Sequence, residues 1–82
     1  MTSAEVHQMF AAQTAGIDFE DADDRAIFRQ RIREATSSTK TGKIREWMKA
    51  CGGTAAKNAS RDDITRELAF CIMVAIRMDA PR

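Results

Sequence analysis

The longest apolar run in the chain, Leu68 to Ile76, covers nine residues, and it limits the fold more than any other stretch. It is far short of the roughly 20 residues a membrane-spanning helix needs, so it has to be buried against protein. Ser60 precedes it, with Asp62 and Asp63 close behind, the pattern of a helix N-cap followed by acids that suit the positive end of the helix dipole. The spacing predicts a helix from Ser60 to about Asp79, with Pro81 beyond its end. Ile64, Leu68, Cys71, Ile72 and Ala75 fall on one side of it. Phe70, Met73 and Val74 fall on the other, the side that Arg66 and Glu67 mark as polar a turn earlier. A helix apolar all round is a buried helix. This one is therefore expected to be either central or half of an oligomer interface, with Phe70, Met73, Val74 and Arg77 as the candidate contact residues for a second copy or another protein.

The rest of the chain is punctuated for helices. Thr2 with Glu5 has the form of a capping box, and Val6, Met9, Phe10 and Gln13 share one face of a helix carried from Ser3 to about Ala15, where Gly16 is a natural stop. Asp18 or Asp21 caps a second helix reaching about Thr36, with an apolar stripe of Phe28, Ile32 and Ala35 beside Arg25, Arg29 and Arg33. A polar linker, Ser37 to Thr41, follows. The third helix, about Gly42 to Cys51, carries Ile44, Trp47, Met48 and Cys51 on one face and Arg45, Glu46 and Lys49 opposite, and Gly52-Gly53 ends it. Thr54 to Lys57 contains no breaker and has room for a further helical turn. Strand signals are weak, with no tyrosine, no alternating β-branched run and no Asn-Gly or Asp-Gly turn. The expected fold is all-α: one domain, residues 1–82, a compact bundle of about four short helices. A domain of this length buries only about 60% of its unfolded surface, so a second copy would add useful burial.

Little in the sequence suits catalysis. Nucleophilic chemistry needs a nucleophile, a base and a group that orients the base, and the single histidine, His7, reads as a solvated residue of the first helix. Cys71 lies in the apolar run, where burial raises a thiol pKa; Cys51 lies at a helix C-terminus, where the dipole disfavours a thiolate. The acids from Asp18 to Asp24 lack the ligand order of a calcium loop and read as an acid-rich helix start. Gly42-Lys43 lacks the other residues of a phosphate loop. No catalytic residue, metal or cofactor is expected. The opening residues, Met1 to His7, have neither a basic leader nor an apolar stretch, and the two cysteines lack metal-ligand spacing. The expectation is a soluble cytoplasmic protein with reduced thiols and no membrane segment.

Charge is segregated along the chain. Residues 1–24 carry six acids and no bases, residues 25–61 ten bases and two acids, and residues 62–82 three bases and four acids. A one-signed segment is a candidate electrostatic footprint. If the middle binds a polyanion, the residues are Arg25, Arg29, Arg33, Lys40, Lys43, Arg45 and Lys49. The competing reading is that the acidic head folds back on the basic middle and neutralises it. The leading expectation is a non-enzymatic regulator, adaptor or inhibitor that works through protein contacts and pairs as a homodimer. The alternative is a small DNA- or RNA-binding regulator using residues 25–61.

Overall fold

The computed structural model describes residues 1–79, so Pro81 lies outside the described residues. Among them are four α-helices and no strand: α1 (Ser3–Met9), α2 (Ala22–Ala35), α3 (Thr41–Ala50) and α4 (Arg61–Asp79), with one 3-10 turn, Ala11–Thr14, after α1.

α1 begins as the sequence requires. The Thr2 hydroxyl accepts from the Glu5 amide at 3.2 Å, and the Glu5 carboxylate accepts from the Thr2 amide at 3.1 Å. The helix ends earlier than expected, at Met9. Phe10 N–H is shared between the carbonyls of Val6 and His7, the tightening that leads into a 3-10 turn. The chain then turns back because Arg31, on α2, donates to the carbonyls of Gln13 and Ala15 at 3.2 and 2.7 Å.

Asp21 caps α2, its carboxylate accepting from the Asp24 amide. Phe28 and Ile32 are fully buried, but Ala35 is exposed and Thr36 takes the next inward position. The Thr36 hydroxyl avoids an unmet polar burial by donating to the Ile32 carbonyl at 2.9 Å.

α3 closes in a Schellman motif. Gly53 N–H reaches the Met48 carbonyl at 2.9 Å, and Gly52 N–H the Lys49 carbonyl at 3.0 Å, with Gly52 at φ 84°. Residues 54–57 form no helical turn. Arg45 draws the carbonyls of Ala55, Ala56 and Lys57 to its guanidinium at 3.0–3.4 Å, which holds that backbone open. Arg45 therefore does not stand free opposite the apolar face; it is half-buried beneath the loop.

α4 starts on the Ser60 cap, whose hydroxyl accepts from the Asp63 amide at 3.1 Å. It packs against α3 and α2, and α1 packs against α3. The core joins Val6 and Phe10, Phe28 and Ile32, Ile44 and Met48, and Ile64, Leu68, Ala69, Ile72 and Met73. The inward stripe of α4 is thus centred on Leu68 and Ile72. Cys71 and Ala75 lie at its edge, half-buried, rather than within it.

Candidate functional site

The interface residues expected on α4 separate into two groups. Phe70 is 56% exposed and Val74 38% exposed, while Met73 is only 5% exposed and belongs to the core. At 100° per residue, Met73 sits about 60° from Phe70 on the side that faces α2, where it lines a cleft with Arg29. It is therefore packing, not contact surface. Met78, 80% exposed, takes its place. Phe70, Val74 and Met78 follow at i, i+4 and i+8, so they form one outward row along α4. The signal for Met78 was present in the sequence as that spacing.

Open clefts flank the row. One of about 410 Å³ runs between Arg29 of α2 and the α4 residues Asp63, Arg66, Glu67, Phe70 and Met73. A second, about 340 Å³, lies between the end of α3 and the other flank of α4, with Cys51 and Gly52 facing Glu67, Phe70, Cys71, Val74, Ala75 and Met78. Gly53 allows this close approach. A Cβ there would fall 2.8 Å from Met48 Cγ and 2.9 Å from Cys71 Sγ, well inside contact distance. A third, about 400 Å³, adjoins Glu20, Val74, Arg77 and Met78. Arg77 does not extend freely: its guanidinium pairs with Glu20 at 3.1 Å and ties the end of α4 to the segment before α2.

The two thiols near the second cleft are free. Burial raises the pKa of both. For Cys71, burial, the nearby Glu67 carboxylate and its hydrogen bond push the value up to about 11. At neutral pH both are protonated, so neither is disposed to act as a nucleophile.

The basic middle is largely engaged within the fold. Arg25 donates to the Phe19 carbonyl at 3.0 Å, Arg45 holds the 55–57 loop, and Arg61 donates to the Thr36 carbonyl. Arg33 pairs with Asp62 at 2.8 Å and Lys43 with Glu46 at 3.5 Å. Of the candidate polyanion contacts, the side chains of Arg29, Lys40 and Lys49 have no hydrogen-bond or ion-pair partner among the described residues. Among the described residues no carboxylate of the acidic head is paired with a base of this segment: Glu20 pairs with Arg77, and Asp18, Asp21 and Asp24 accept from local backbone amides. Asp18 accepts from the Glu20 amide at 3.0 Å and Asp24 from the Asp18 amide at 2.8 Å.

His7 is half-buried rather than solvated, and its Nε2, like Trp47 Nε1, is buried without a hydrogen-bond partner. Trp47 meets Phe10 edge to face, with ring centroids 5.7 Å apart, so the indole belongs to the packing of α3 on the end of α1. Among the described residues no helix is long and apolar enough to cross a membrane. Comparison with known protein families, with characterised proteins and with solved structures finds no match.

Proposed function

We propose that this protein is a non-enzymatic binding protein, a small regulator, adaptor or inhibitor that works through the outward face of α4. The observation that carries this reading is the exposed row Phe70, Val74 and Met78. Burying side chains of this size is worth about 1.5–3 kcal/mol each. Three of them in one row on a single helix therefore make a surface that gains by being covered. Methionine and phenylalanine beside open clefts suit an adaptable protein contact. The unpaired Cys51 and Cys71 support a reducing, cytoplasmic setting. The basic middle is less suited to a polyanion, since most of its guanidinium groups already serve loop carbonyls or carboxylates.

The test is photo-crosslinking in the native host from a benzophenone side chain at position 70, with one at Ile27, an exposed apolar residue of α2, as control. A protein captured from position 70 alone is then purified and titrated. Phe70→Asp should weaken the reconstituted complex at least about tenfold with helicity unchanged. A complex indifferent to both Phe70→Asp and Met78→Asp overturns the proposal. So does salt-sensitive retention on nucleic acid that is lost when Lys40, Lys43 and Lys49 become Gln.

A further inference from the structure

The outward face of α4 carries a finer pattern than its apolar row. Asp63, Glu67, Phe70, Val74 and Arg77 follow at steps of four, three, four and three residues. That is the heptad spacing of a seam along which two helices pack. None of the five is buried, so all lie on the side of α4 that α2 and α3 leave open. The apolar pair, Phe70 and Val74, sits at the centre, with an acid one step before it and a base one step after.

We infer that this seam pairs with the same seam of a second copy, antiparallel, about a two-fold axis. The inference rests on the proposed role of α4 as the contact surface and names its occupant. In the antiparallel register Phe70 lies beside Val74 of the second copy, and Glu67 lies beside Arg77 of the second copy, each twice by symmetry. In the parallel register Glu67 would face Glu67 and Arg77 would face Arg77, which repels at both ends. The charge order thus selects one orientation, and the two halves of the seam are complementary to each other. Glu20 engages Arg77 through Nε and Nη2, which leaves Nη1 for a second carboxylate while the first pair is kept. The seam from Glu67 to Arg77 is about 15 Å long, which is short. The expected dimer is therefore weak.

Sedimentation equilibrium of the full chain from about 1 µM to 1 mM tests this. The 9.1 kDa chain should approach twice its mass at the upper end. Glu67→Arg and Arg77→Glu should each weaken the dimer about tenfold, since each places like charges together at both ends. An equimolar mixture of the two variants should associate at least as well as the parent, because each mixed pair restores both opposite-charge contacts. Folding does not confuse the result, because the same two variant chains are compared alone and mixed, with helicity checked for each. A parent that stays monomeric to 1 mM overturns the inference, as does a dimer unmoved by either substitution or a mixture no better than its components. If the parent is monomeric but a different protein captured from position 70 binds through Phe70, the proposed function stands and only the second copy is wrong.

Discussion

Trp47 contributes an indole whose ring is packed on Phe10 and whose Nε1 proton has no acceptor. A buried unmet donor costs about 1–3 kcal/mol. Trp47→Phe should therefore leave stability within about 1 kcal/mol, because the lost ring contact is offset by removal of that donor. Trp47→Ala should cost about 2–4 kcal/mol, somewhat below the value for a fully buried aromatic, because the residue is only half-buried. Urea melts of the two variants separate the contributions; a Phe variant as unstable as Ala would mean that the ring packing is not what holds this site. Gly53 poses the opposite problem. Gly53→Ala should destabilise by about 1–3 kcal/mol, since the added methyl meets Met48 and Cys71 below 3 Å. At Cys71 the pKa of about 11 leaves roughly a hundredth of the thiolate that a free thiol carries at pH 8. Iodoacetamide should modify it correspondingly slowly in the native state. The folded value is raised, so the stability it brings is complete below the ordinary thiol value of 9.0 and is lost as pH rises towards about 11.

At the scale of the helices, start signals were the most legible part of the sequence. The Thr2–Glu5 box, the Asp21 cap and the Ser60 cap are all made by residues within three positions of their partners, so short-range spacing suffices to find them. The turn after α1 and the loop after α3 were not legible, because each is held by an arginine that lies outside it. Arg31 reaches back to Gln13 and Ala15, and Arg45 reaches forward to Ala55 through Lys57. Nothing in the local sequence of those loops records the partner. Arg45→Gln should cost about 1–2 kcal/mol through carbonyls left without a charged donor, read as a lower melting temperature with α3 still formed. The Glu5 carboxyl lies below its ordinary 4.5 because the Thr2 amide and hydroxyl bind the ionised form. A lowered folded value means that the cap stabilises above the unfolded value and is lost as pH falls through the folded one. The protection factor of the Val6 amide, relative to intrinsic exchange at the same pH, should fall on acidification below about pH 4.5, ahead of global unfolding; uniform loss of protection across all helices would contradict this.

For the molecule as a whole, the all-α class followed from punctuation and period, while the inward and outward faces of α4 followed only in part. Met73 and Cys71 exchanged places relative to expectation, since on a helix apolar all round the neighbours decide which stripe is covered. The radius of gyration is 12.0 Å, so nearly every core residue lies close to the surface and small losses are felt. If α4 pairs with a second copy, the melting temperature should rise with protein concentration; a melt identical at 5 and 500 µM would argue against it. The loop clamp at Arg45 also bears on the order of assembly. Its partners lie 10–12 residues away, and the Schellman turn beside it closes over even fewer. Closing so short a segment costs little chain entropy. The α3–loop–α4 hairpin is thus the cheapest nucleus available, and α1, which docks on α3 rather than on α4, would join it afterwards. In stopped-flow refolding, Arg45→Gln should slow the folding limb, whereas Thr2→Ala should act mainly by hastening unfolding. Folding would then proceed from the C-terminal half of the chain towards the N-terminal half, opposite to the order in which the chain is synthesised.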